Sequence, residues 1–303
     1  MALAKRVILF LLLNFLVITM ISLVLSIFNI RPFLSHYGLD LPSLMIFCAV
    51  WGMGGALISL ALSRVMAKWA MGVKVIDPGT SDPELSHLLS TVHRLASDAG
   101  LPMPEVGVYQ SNEVNAFATG PTQKRSLVAV STGLIRRMKE EEVKAVLGHE
   151  ITHIANGDMV TMTLLQGVVN AFVMFLARVL AYAASGLGRN RNSNSSVGSY
   201  GSYYLFVFLF QTIFMILGSL LIAAYSRWRE FRADAGGARL AGKENMIEAL
   251  QTLRVLSEIK DERMAQQPAF DAFKISPHKK RGFLSLFATH PPIEIRIERL
   301  RNL

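Results

Sequence analysis

Long uncharged apolar runs alternate along this chain with stretches whose apolar residues recur at helix or strand spacing. Four runs, at residues 7–30, 41–63, 159–182 and 203–226, approach or exceed the roughly 20 residues that a helix needs to cross a bilayer. Lys5 and Arg6 ahead of the first run would also suit a secretory signal. The length of that run, and the second run following at once, favour a spanning hairpin with a tight loop around Pro32 and Gly38. The third run carries Gln166, Asn170 and Arg178, so a buried hairpin in a soluble domain is its competing reading. The fourth is uninterrupted.

The stretch between the second and third runs is polar enough for water. Leu85, Leu88, Leu89, Val92 and Leu95 hold helical spacing up to Gly100 and Pro102. Short β-prone runs follow at 106–109, 115–118 and 127–130, separated by Gly, Pro, Asn and Ser, and predict a small sheet. A further helix is expected from Lys139-Glu140-Glu141-Glu142, whose carboxylates suit a helix N-terminus, with Val143, Val146, Leu147, Ile151 and Ile154 along one stripe. Residues 185–202, rich in Ser, Asn and Gly, read as a flexible loop. The expected organisation is a membrane hairpin at 1–65, a polar part at 66–158, a second apolar hairpin at 159–226 and a second polar part at 227–303. The fold class is a mainly α membrane protein with a small β-sheet and up to four transmembrane helices.

Composition sharpens this picture. Hydrophobic residues make up 51% of the chain, well above what a soluble globule needs. The net charge of +9 could signal nucleic acid, but the Lys and Arg residues sit mostly beside apolar runs and no recognition motif accompanies them. No nucleic-acid partner is expected; the bilayer is. Lys5, Arg6, Arg64, Lys68, Lys74, Arg227, Arg229 and Arg232 fall on one side if all four runs span, against Arg31, Arg178, Arg189 and Arg191 on the other. The positive-inside rule then puts the termini and the polar stretches in the cytoplasm, in a multi-pass inner-membrane protein. Cys48 is the single cysteine and lies in an apolar run, which excludes an internal disulfide and a thiolate metal site.

The chemistry centres on His149-Glu150-Ile151-Thr152-His153. Histidines at i and i+4 project from one helix face and can share a tetrahedral zinc ion. Glu150, beside His149, points next to the metal, where it can take a proton from a water. A catalytic zinc needs a third protein ligand. Asp158 follows the motif too closely to fold back easily from the same helix, and His87 and His93 suit a helix surface. Glu230 and Asp234 stand at i and i+4 after the fourth run, so that one can ligate zinc while the other orients a ligating imidazole.

The motif with Asn156-Gly157-Asp158, the Glu230 to Asp234 pair, the opening hairpin and His290-Pro291-Pro292 together resemble the M48 family of membrane metallopeptidases over nearly the whole chain. The resemblance implies a gluzincin-type site with one zinc on His149, His153 and Glu230, Glu150 as general base and Asp234 behind a ligand. It implies further that Asn115-Ala116-Phe117 forms the substrate-binding edge strand, and that His290 and Arg296 hold substrate or the transition state. From the residues alone, His290 could simply end a loop and Arg296 pair with Glu294 or Glu298. The function so implied is a zinc endopeptidase with loose sequence preference, acting on damaged or misassembled membrane proteins in stress and quality control.

Two other classes fit parts of the pattern. An intramembrane protease of the site-2 type would bury the motif in a spanning helix, which Arg136-Arg137-Met138-Lys139 and the three glutamates oppose. A zinc-binding transporter or scaffold would have no use for Glu150.

Overall fold

The computed structural model describes residues 34–35, 38–187, 196–265 and 283–303; the apolar run at 7–30 lies outside them. In chain order the elements are α1 (Leu41–Ala70), β1 (Lys74–Val75), α2 (Pro83–Asp98), β2 (Glu105–Tyr109), β3 (Ala116–Thr119), β4 (Leu127–Ser131), α3 (Thr132–Arg137), α4 (Glu140–Ala155), α5 (Asp158–Leu187), α6 (Ser196–Ala241), α7 (Lys243–Ala265) and α8 (Ile293–Arg301). Contacts divide the chain into two compact units, residues 1–60 with 161–222, and 61–160 with 223–303.

The first unit is built from apolar helix. Among the described residues three helices are long and apolar enough to cross a membrane, over Leu41–Ala70, Asp158–Ser185 and Gly201–Ala241. Tyr204 and Phe208 on α6 are each 67% exposed, an arrangement that lipid tolerates and water does not. Between helices in lipid the attraction is close packing, which small residues permit. A Cβ on Gly52 of α1 would strike the Ala171 backbone of α5, and one on Gly218 of α6 would come within 2.7 Å of Val169 on α5. Of the loop expected at 185–202, residues 185–187 and 196–202 are helical, and 188–195 lie outside the described residues. Helix α5 runs to Leu187 and α6 begins at Ser196, because adding a residue to an existing helix costs little even where Ser and Gly are weak helix formers.

In the second unit a four-stranded sheet runs in the order β1-β2-β4-β3. Strands β2 and β4 are parallel, with Glu105 opposite Leu127, while β1 and β3 add antiparallel at the two edges. β4 is buried along its whole length, which explains its unbroken Leu-Val-Ala-Val run. The two-residue β1 gave no signal in the sequence. Helix α2 starts at Asp82, whose side chain accepts from the N–H groups of Glu84 and Leu85, with Pro83 in the first turn. Its expected stripe is buried at Leu88, Val92 and Leu95 against Val146, Leu147 and Ile151 of α4 and Met246 and Leu250 of α7, in one continuous core. Helix α4 is therefore central, flanked by α2, α7 and the edge strand β3.

Candidate active site

Three acidic residues open α4, and Glu142 also accepts the Lys139 N–H at 2.8 Å. The helix ends at Ala155, and Gly157 takes a left-handed φ of 65°, which lets α5 start at once in a new direction from Asp158. Helix α6 crosses α4 at very short range. A Cβ on Gly236 would collide with the Thr152 side chain, and one on Gly237 would come within 3.0 Å of the His149 nitrogen. Only glycine fits at that crossing, and it brings Glu230, less than two turns earlier on α6, against the two histidines.

His149 Nε2 and His153 Nε2 are 3.2 Å apart, and each faces a different oxygen of Glu230, at 3.6 and 3.4 Å. A tetrahedral ion with bonds of about 2.0–2.1 Å requires ligand atoms about 3.3–3.4 Å apart. The three contacts, two of them through different oxygens of the carboxylate, lie close to that spacing, and all three residues are buried. Nitrogen and carboxylate donors in this number suit zinc and leave a fourth position open.

Each histidine rests on a carboxylate through its other nitrogen. His153 Nδ1 lies 2.6 Å from Asp158 Oδ2, and His149 Nδ1 lies 2.9 Å from Asp234 Oδ1, at hydrogen-bonding distance though without full alignment. Asp234 in turn accepts two N–H groups of Arg296, from Nε at 2.8 Å and Nη2 at 2.6 Å. Glu230 accepts from Arg229 at 3.1 Å and pairs with His290 Nδ1 at 2.9 Å.

The electrostatics follow from this crowding. Burial by itself would lower the His149 imidazole, but hydrogen bonds to Asp234 and Glu230 outweigh it and lift the group to about 9. Burial would raise Glu230, yet His149, His153 and His290 hold it far below the usual carboxylate range. For Asp234 the same burial is overcome by Arg296 and then His149.

Glu150 is partly exposed, and its Oε2 accepts the Ala118 N–H at 2.9 Å. Hydrogen bonding along an antiparallel pair alternates. Ser131 N–H donates to Asn115 O, so residues 115, 117 and 119 bond to β4 while Ala116 and Ala118 turn their N–H and C=O groups to the open edge. Of the expected strand residues, Ala116 thus offers a free backbone. Asn115 turns its backbone inward, and the Phe117 ring packs 5.8 Å from that of Tyr109.

The structure brings together His149, Glu150, His153, Glu230, Asp234, His290 and Arg296. Arg296 contacts neither Glu294 nor Glu298, which stand two positions away on other sides of the helix. Asp158, set aside as a ligand, packs on His153, and Gly157 was the available sign that the chain could turn back. Ala118 and the Gly236-Gly237 crossing carried no local signal. His87 pairs with Glu140 at 2.8 Å on the surface of α2, as its position suggested. Helix α4 is none of the three apolar spans, which removes the site-2 arrangement.

Apolar spans together with a His-His-Glu group that could hold a metal, and an adjacent glutamate, are the parts of a membrane metallopeptidase. The chain belongs to peptidase family M48, whose model matches residues 84–303. It is 50% identical over 307 residues to the "Protease HtpX homolog" of Bacillus pumilus and 48% identical over 307 residues to that of Bacillus subtilis. Against the homolog of Methylacidiphilum infernorum it is 46% identical, covering 99% of each chain. The crystal structure of S. mikatae Ste24p shares the fold with a TM-score of 0.66 at 17% identity, covering 98% of this chain and 65% of that one.

Proposed function

We propose that this protein is a zinc-dependent endopeptidase of the inner membrane, with its site facing the cytoplasm, that cuts damaged or misassembled membrane proteins. The observation that carries the reading is the triangle of His149, His153 and Glu230 with Glu150 beside it, partly exposed on the edge-strand side.

A bound zinc supplies Lewis acidity for the scissile carbonyl and for a water. Glu150 takes the proton of that water as it attacks and passes it to the leaving amine. Its Oε2 accepts the Ala118 N–H, and the carboxylate has a second oxygen with which to reach the water. A peptide adding to β3 at Ala116 and Ala118 would be held by main-chain hydrogen bonds, which favours loose side-chain preference. His290, with its side chain 65% exposed, is the accessible donor for substrate or for negative charge developing on the carbonyl oxygen. Arg296 is committed to Asp234, so its role is to position that carboxylate behind His149 rather than to touch substrate.

Glu150→Gln tests the reading. Cleavage of an unfolded polypeptide should fall about a hundredfold to ten-thousandfold while zinc content is kept. Undiminished cleavage would refute the assigned base.

A further inference from the structure

The apolar unit contains an arginine that has no acid to pair with. Residues 161–222 contain no Asp or Glu, and residues 1–60 contain only Asp40. Asp40 is exposed and accepts the Ser43 hydroxyl at 2.6 Å. Arg178, near the end of α5, therefore holds its charge among apolar helices without a carboxylate partner among the described residues. A guanidinium cannot shed that charge by losing a proton, and an uncompensated charge at membrane depth is costly.

What surrounds Arg178 is a set of donors and aromatic faces. Its guanidinium carbon stands 5.6 Å from the centre of the Phe47 ring on α1, and one N–H reaches the Met174 carbonyl at 3.0 Å. Cys48 on α1 and Tyr203 on α6 lie close enough to interact with it electrostatically. Tyr203 is only 4% exposed, and its hydroxyl is buried without a hydrogen-bond partner. One turn beyond Phe47, the Trp51 indole N–H is likewise buried without a partner. Leaving a polar group buried and unpaired costs about 1–3 kcal/mol. A stranded hydroxyl near one unneutralised cation, with a second stranded donor one turn further along α1, describes a site made for an acceptor that carries negative charge.

The level of the cluster identifies that acceptor. Phe47 and Cys48 are near the start of α1, Arg178 near the end of α5 and Tyr203 near the start of α6, so the corresponding ends of three apolar helices meet there. Helix ends are where headgroup phosphates lie and where Trp, Tyr and Arg anchor.

We propose that Arg178 and Tyr203 bind the phosphate of an anionic membrane phospholipid between α1, α5 and α6. The lipid neutralises the guanidinium and receives the stranded tyrosine hydroxyl, with the Trp51 N–H as a further donor. The site lies wholly within the apolar unit and is independent of the peptidase reading.

The test uses the full chain, reconstituted in phosphatidylcholine vesicles with or without phosphatidylglycerol, extracted gently and examined by native mass spectrometry for retained lipid. Preferential retention of phosphatidylglycerol is expected. It should weaken about tenfold or more in Arg178→Gln and severalfold in Tyr203→Phe, which removes one oxygen and leaves the packing intact. Added inorganic phosphate or a peptide with a free C-terminal carboxylate should not displace it. Equal retention of both lipids, or retention unchanged in Tyr203→Phe and Arg178→Gln, would overturn the proposal. Displacement by free phosphate or by the peptide would overturn it too, by assigning the site to another anion.

Discussion

Arg296 and Asp234, 62 residues apart in sequence, close on each other through two N–H···O contacts of 2.8 and 2.6 Å, and Asp234 then stands 2.9 Å from His149. The guanidinium fork thus fixes the carboxylate that faces His149, a proposed metal ligand. Lysine offers one point charge in place of a fork and cannot hold both oxygens in that plane. Arg296→Lys should weaken zinc binding about tenfold. Arg296→Gln, which takes the guanidinium from a buried carboxylate and leaves it only His149, should cost about 1–3 kcal/mol of stability as well. Chelator competition and thermal unfolding measure the two effects, and a variant with wild-type zinc affinity would remove Arg296 from the site.

Asp158 has the same relation to His153, at 2.6 Å and 1% exposure. Asp158→Ala should lower zinc affinity about tenfold to a hundredfold. Excess zinc should restore turnover with KM unchanged, because the residue orients a ligand and does not touch substrate. Persistent loss at saturating zinc would show a more direct part.

The α4–α6 crossing is the least forgiving contact in the site. Gly236→Ala drives a methyl group into the Thr152 side chain. Overpacking of this kind costs about 1–3 kcal/mol, and here it would also push Glu230 away from the histidines. Adding Thr152→Ala should recover most of the zinc affinity, since it empties the colliding space. Additive losses in the double-mutant cycle would argue that the two helices do not meet there.

Protons and metal compete for His149. Its folded value of about 9 lies above the ordinary 6.5, so in metal-free protein it contributes stability that is complete below about pH 6.5 and lost as pH rises through 9. Glu230 and Asp234 are shifted down, so their contribution is present above the ordinary carboxylate range and lost in acid. Zinc must find His149 neutral. Uptake near pH 7 should therefore release about one proton from this residue, visible by calorimetry in buffers of different ionisation enthalpy, and zinc affinity should rise between pH 6.5 and 9. A flat profile across that interval would contradict the network.

The parts of this site that could be read in the sequence are those fixed by local spacing. His149 and His153 share a face because four residues make about one helical turn, and Glu230 and Asp234 announce themselves by the same spacing. Helix α2 and the strands β2, β3 and β4 follow from periodicity and turn residues. What could not be read depends on meetings between distant elements. Arg296 finds Asp234 across two helices, Ala118 finds Glu150 through sheet register, and Gly236 matters only because Thr152 stands opposite. The two-residue β1 is too short to leave a pattern, and the helical stretches next to residues 188–195 extend into Ser- and Gly-rich sequence that local preference assigns to a loop.

The central claim is that cleavage depends on one zinc held by His149, His153 and Glu230. Metal-stripped protein, titrated with zinc while peptide cleavage and bound metal are followed together, tests it most directly. Activity should rise linearly to a plateau at one zinc per chain, and Glu230→Gln should shift the titration to much weaker binding. Cleavage by the metal-free protein, or a Glu230→Gln titration identical to that of wild type, would contradict the account.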